Sequence, residues 1–131
     1  MKKFNSCIVV DDEPELLETL KDGLEELFNR VDTCRDGLEA IDKLSKNTYD
    51  LIVSDIQMPY VKGDELLDKL RIKGIRTPFV YMTGKGSISL LAEGRDVGVV
   101  EYVEKPFAFK AFLARIERVM EIMEIKKTFE S

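Results

Sequence analysis

Histidine is absent from this 131-residue chain. Its absence removes Ser-His-Asp and Cys-His catalysis together with His-ligated metal sites. Cysteine occurs only twice, at Cys7 and Cys34. That is too few, and too isolated, for a disulfide framework or a zinc site, so both read as buried thiols of strands. No apolar run approaches the roughly 20 residues that a membrane span takes, and the Met-Lys-Lys start lacks the apolar core of a signal peptide. A cytoplasmic protein with no membrane span is expected. Positive charge is in deficit: 20 Lys and Arg against 25 Asp and Glu leave a net charge of −5, which argues against direct nucleic-acid binding. Repeats, low-complexity tracts and linker-like stretches are missing too. Any reactive site must therefore be built from carboxylates, hydroxyls and lysines.

What the chain does have is a hydrophobic fraction of 44% beside a charged fraction of 34%, the balance of a soluble globular protein. Its length suits one domain over residues 1–131, with a core from about 6 to 121 and a C-terminal helical extension from about 122 to 131. Short apolar runs alternate with helical patterns. CIVV (7–10) precedes a helix opening at Glu13-Pro14, whose Leu16, Leu17, Leu20, Leu24, Leu27 and Phe28 share one face. VDTC (31–34) reads as a second strand, and Asp36-Gly37 turns into a helix carrying Leu38, Ile41 and Leu44. LIVSD (51–55) is the third strand, followed by a helix from Gly63 to about Ile72. FVYMT (79–83), a weak glycine-flanked helix near Ser87 to Glu93, and VVEYV (99–103) come next. A long amphipathic helix then carries Phe109, Phe112, Leu113, Ile116, Val119, Met120 and Met123. Toward its end Met120, Ile122, Met123 and Ile125 place apolar side chains on more than one face, which suggests a partner helix or a dimer seam.

Strands 1, 3 and 4 are near-continuous apolar runs, the mark of strands covered on both faces in a doubly wound α/β fold with a parallel sheet. Right-handed crossovers then bring all five strand C-termini to one edge, where open α/β sheets bind ligands. Asp11 and Asp12 follow the first strand, Asp55 ends the third, Thr83 the fourth, and Lys105 follows the fifth. Three carboxylates held closely together repel one another unless a cation relieves them. Magnesium, a hard oxygen-seeking ion, suits that role. An aspartate nucleophile with a cation and an amine beside it is the chemistry of aspartyl-phosphate formation.

The stretches VVDDEP, SDIQMP with Gly63, MTGKG and EYVEKPF, in this order and spacing, resemble the receiver domain of two-component response regulators. The resemblance runs from about Ser6 to about Glu121. It implies a flavodoxin-like (βα)5 fold with strand order 2-1-3-4-5. It further implies that Asp55 is a phosphoacceptor served by a sensor histidine kinase or a histidine phosphotransfer protein. Asp11, Asp12 and Asp55, with the backbone carbonyl of Gln57, would hold Mg2+. Lys105 would pair with Asp55 and then with the phosphoryl group, Thr83 would swing toward that group, and Tyr102 would move inward behind it. The peptide bond before Pro106 would be cis. A downstream partner or a homodimer would form through the fourth helix, fifth strand and last helix. Gln57 and Lys85 stand where the family tunes phosphate lifetime.

Blander readings exist for each residue. Asp11 and Asp12 could cap the following helix, Thr83-Gly84 could be a plain turn, Tyr102 a half-exposed strand aromatic and Lys105 a snorkelling lysine. As whole-protein alternatives, a Mg2+-dependent aspartyl-phosphate phosphohydrolase would need an acid where Gln57 stands. A non-phosphorylated scaffold would have no use for the cluster. Substrate turnover is therefore not expected.

Overall fold

The computed structural model describes residues 4–57, 60–84, 99–105 and 107–130. The predicted helix near Ser87 to Glu93 lies outside them, as do Met58, Pro59, Lys85 and Pro106. Every strand pairing is parallel. β1 (Phe4–Val10) lies between β2 (Phe28–Cys34) and β3 (Leu51–Asp55), and β4 (Phe79–Thr83) separates β3 from β5 (Val99–Glu104), giving the order β2-β1-β3-β4-β5. This is the expected doubly wound sheet.

The two-residue period of the strands decides which helix each side chain meets. Cys7 and Val9, Leu51 and Val53, and Val80, Met82 and Val103 join one core. There they meet α1 (Pro14–Leu24) through Leu17, Leu20 and Leu24, and the C-terminal helix (Phe109–Glu130) through Phe112, Ile116 and Met120. Ile8 and Val10, Ile52, Phe79 and Tyr81 join the opposite core. Against them pack α2 (Gly37–Lys46) with Ala40 and Leu44, and α3 (Gly63–Ile72) with Leu66, Leu67 and Leu70. Each fully buried aliphatic contributes about 1.5–3 kcal/mol relative to exposure. Burial on both faces is why these strands are apolar throughout.

Helix starts follow local chemistry. Pro14 opens α1, and the Asp36 carboxylate accepts the Glu39 N–H at 2.9 Å to cap α2. α1 and the C-terminal helix approach closely at Gly23, where a Cβ would stand 2.2 Å from a ring carbon of Phe109.

Several boundaries differ from the sequence expectation. α1 stops at Leu24, and Phe28 opens β2 instead of completing the helix. Opposite Phe4 in the β1–β2 register, Phe28 is fully buried with its ring 5.6 Å from that of Phe4. Leu27 and Phe28 fit a helical period, but pairing and burial against β1 outweigh that pattern. β1 also begins at Phe4, three residues before the apolar run, and Leu38 of α2 is exposed.

Candidate functional site

Strand pleating delivers the reactive residues. Asp11 continues the alternation of Cys7 and Val9, and its N–H donates to the Cys34 carbonyl at 3.0 Å, extending the ladder one residue beyond β1. Asp55 shares the side of Leu51 and Val53 at the last position of β3. Lys105 follows Val103 by two, with its N–H donating to the Thr83 carbonyl at 2.6 Å. Three residues far apart in sequence thus face the same layer at the carboxyl edge of the sheet. Asp12, one residue out of phase with Asp11, is exposed.

The Lys105 Nζ bridges the acids. It stands 2.8 Å from Asp11 Oδ2, 3.2 Å from Asp55 Oδ2 and 3.9 Å from Glu13 Oε1. Each buried carboxylate uses its second oxygen to organise the backbone. Asp11 Oδ1 accepts the Glu13 N–H at 2.9 Å, and Asp55 Oδ1 accepts the Gln57 N–H at 3.2 Å. The capping reading for Asp11 and Asp12 is therefore replaced: Glu13 is the N-cap of α1 and makes no side-chain cap bond, while Asp11 shapes the turn ahead of it.

Asp11 is fully buried and Asp55 only 7% exposed. Burial raises the Asp55 pKa, and the neighbouring Asp11 charge adds to that rise; the Lys105 ammonium opposes it without cancelling it. For Lys105, burial alone would lower the pKa, but the hydrogen bond and charge of Asp11, with those of Asp55, lift it above the usual lysine value. One amine is thus held tightly by two acids that it does not fully compensate.

Carboxylate oxygens of Asp11, Asp12 and Asp55 all lie within 4.8 Å of one another. Three carboxylates and one ammonium carry a formal charge of −2. Hard oxygen donors carrying that charge fit a divalent ion such as magnesium better than a soft metal.

Thr83 ends β4 with its side chain buried, and its carbonyl anchors Lys105. Tyr102 is half-buried on the opposite face of β5, its ring 5.8 Å from that of Tyr81. Gln57, two residues past the end of β3, is exposed. The peptide before Pro106 and the flanking Lys85 fall outside the described residues. Sequence reasoning missed Arg115. Its guanidinium donates to the Tyr102 carbonyl at 3.0 Å and pairs with Glu101 at 2.9 Å, tying the C-terminal helix to β5. Only the packing of that helix on the sheet brings these groups together. Also missed was an apolar cavity of about 430 Å³ beside Lys105, lined by Glu13, Leu16, Phe107 and Phe109.

Comparison with known proteins agrees with this arrangement. The family model for the response regulator receiver domain matches residues 7–117. The transcriptional regulatory protein CutR of Streptomyces coelicolor is 35% identical over 109 residues, which are 83% of this chain and 50% of that protein. The response regulator MprA of Mycobacterium bovis is 34% identical over 113 residues, 86% of this chain and 49% of that protein. The chain thus spans about half the length of these curated relatives. Among solved structures, the receiver domain of the Francisella response regulator 1452 superposes with a TM-score of 0.80 at 30% identity, covering 91% of this chain and 98% of that one. The response regulator TrrA of Thermotoga maritima, solved in complex with Mg(2+)-BeF, gives 0.74 at 32%, covering 88% and 98%. No helix among the described residues is long and apolar enough to cross a membrane. With its sheet order, its acid cluster and these matches, the chain belongs to the response regulator receiver domains of two-component signalling.

Proposed function

We propose that Asp55 accepts a phosphoryl group from the phosphohistidine of a sensor histidine kinase or histidine phosphotransfer protein in the cytoplasm. Asp11, Asp12, Asp55 and the Gln57 backbone carbonyl would hold Mg2+. The observation that carries this reading is the Lys105 amine bridging Asp11 and Asp55 at 2.8 and 3.2 Å within a three-carboxylate pocket. A carboxylate oxygen of Asp55 attacks phosphorus. The new O–P bond forms as the P–N bond to the donor imidazole breaks, its electron pair returning to that nitrogen. A bound magnesium ion supplies the positive charge that lets phosphoryl oxygens approach the carboxylates. Lys105, already hydrogen-bonded to Asp55, transfers its contact to a phosphoryl oxygen. Thr83 contributes a hydroxyl donor from the end of β4.

Gln57 carries an amide without an acidic proton, so it protonates no leaving group, and the domain acts as an acceptor without substrate turnover. The output is a shift in partner binding across β5 and the C-terminal helix. Tyr102 moves inward as Thr83 engages the phosphoryl group, and Arg115 links Tyr102 to the helix. A coupling of ~1–3 kcal/mol suffices for such a switch. The partner is a downstream protein or a second copy.

Incubation with Mg2+ and a small phosphodonor, followed by intact-protein mass measurement, tests the reading. The wild type gains one phosphoryl mass and Asp55→Asn gains none. An unmodified wild type, or an adduct that survives in Asp55→Asn, overturns it.

A further inference from the structure

β2 is an end strand of the sheet, so one of its backbone edges meets no neighbouring strand. The Asp11 N–H donates to the Cys34 carbonyl, so the backbone groups of Cys34 and, by alternation, Asp32 face β1. Those of Val31, Thr33 and Arg35 face outward. Two side chains of α2 reach over this edge. Lys43 Nζ donates to the Thr33 carbonyl at 2.8 Å, and Glu39 Oε2 accepts the Arg35 N–H at 3.3 Å. The same two side chains pair with each other at 3.5 Å. Among the described residues, nothing closes off the Thr33 N–H or either backbone group of Val31 from a further strand. A groove of about 430 Å³ lies along the edge between α1 and α2, with Pro14 and the buried Leu17 on its α1 side. Lys21, Arg35 and Lys43 line it with Glu18 and Glu39, three cations against two acids. Glu39 is engaged with Lys43, and the exposed side chains of Lys21 and Arg35 pair with no acid among the described residues. On a chain of net charge −5 the groove is a local positive site.

We propose that this edge receives an extended acidic segment of another protein as an added strand. The segment pairs with Val31 and Thr33 through its backbone. One of its carboxylates draws the Lys43 ammonium off the Thr33 carbonyl, and a backbone N–H of the segment takes its place. Lys21 and Arg35 hold further carboxylates, and an apolar side chain of the segment covers Pro14 and Leu17. Charge selects this occupant. A neutral or basic segment leaves Lys43 on the Thr33 carbonyl, which keeps that acceptor closed. A second copy joined edge to edge would set the same three cations against one another. A nucleic acid would bring negative charge without the regular amide donors that the edge takes, and would meet Glu18. From Val31 to Arg35 the edge runs about 13 Å, room for a segment of about five residues. So small an interface binds weakly, and its charge pairs make it salt-dependent. β2 lies at the far end of the sheet from β5, so this surface is separate from the output face and from the assignment of Asp55.

Fluorescence anisotropy at low salt, with a labelled octapeptide of alternating Glu and Val, tests the surface. The wild type binds this peptide and binds a Lys-Val counterpart roughly tenfold more weakly or not at all. The Glu-Val peptide N-methylated at every residue does not bind, because it carries no amide donors. The double variant K21E/R35E weakens binding roughly tenfold, with an unchanged far-UV spectrum as the folding control. In Lys43→Met the Thr33 carbonyl is open from the start, so a neutral Ser-Val peptide gains affinity and the acidic preference narrows. Hydrogen exchange at the Val31 and Thr33 amides slows when the Glu-Val peptide is added. No binding, equal binding of the N-methylated peptide or of an oligonucleotide of the same charge, or full affinity in K21E/R35E overturns the proposal. So does an undiminished acidic preference in Lys43→Met, or slowed exchange on other elements in place of β2. None of these readouts uses phosphorylation, so their failure and that of the Asp55 assignment are told apart.

Discussion

Replacing Lys105 with methionine keeps the apolar stem and deletes the ammonium that spans Asp11 and Asp55. At about 3 Å and an effective dielectric near 20, each pair has a gross attraction of ~5 kcal/mol. Most of that is offset by the desolvation of the three groups. Removing one partner of a buried pair typically costs ~3–5 kcal/mol, because the other charge is left uncompensated. Asp11 is fully buried, but the Lys105 side chain retains 19% exposure, so water screens part of the interaction. We therefore expect Lys105→Met to lose about 2–3 kcal/mol without metal, a fall in melting temperature of roughly 6–15 °C for a chain of this length. The amine and a divalent ion offset the charge of the same carboxylates, so magnesium should recover more stability in the variant than in the wild type. An ion at a hundred times its Kd adds ~2.7 kcal/mol. Thermal unfolding in chelator and then in a magnesium series measures both effects. The titration adds a signature. The folded-state amine titrates above the usual 10.5, so its stabilisation is complete below 10.5 and disappears as pH rises through the higher folded value. Lys105→Met should lack that alkaline loss. A metal-free loss below ~1 kcal/mol, or equal magnesium shifts in both proteins, would refute the reasoning.

Asp55→Asn should raise the melting temperature at neutral pH, because burial and Asp11 disfavour the ionised carboxylate in the folded state. With its folded pKa above the usual 3.8, the Asp55 contribution favours folding at acid pH and declines as pH rises through the folded value. Melting curves from about pH 3 to 8 should therefore show the variant's advantage growing with pH, and a lower melting temperature at neutrality would contradict this. Phe112→Ala should cost ~3–5 kcal/mol in urea unfolding, since Phe112 is 1% exposed and its ring lies 4.7 Å from that of Phe107. A loss below ~1 kcal/mol would mean that the C-terminal helix is not seated on the sheet as described.

Much of the fold was legible because burial on both faces of a parallel sheet writes itself locally. LIVSD and FVYMT read as strands of that kind, and Leu66, Leu67 and Leu70 mark one helical face. The misread boundary at Phe28 shows the limit of this reasoning. Two apolar residues fit either period, and the choice belonged to Phe4, a residue remote in sequence. The exposed stripe at Ile122 and Ile125 was anticipated as a second apolar face, and its extension to Phe129 became visible only once the core side of the helix was known.

Residue types and their order settled which groups stand at the carboxyl edge, because a strand end is fixed by where an apolar run stops. Tertiary structure decided what those groups do to one another. The sequence holds Asp11 and Asp12 as adjacent equals, yet pleating buries the first and exposes the second. Lys105 meets Asp11 from 94 residues away, and Arg115 finds the carbonyl of Tyr102 only because the last helix packs across β5. Distances of this kind arise from closing long loops and filling a shared core, and no local pattern records them.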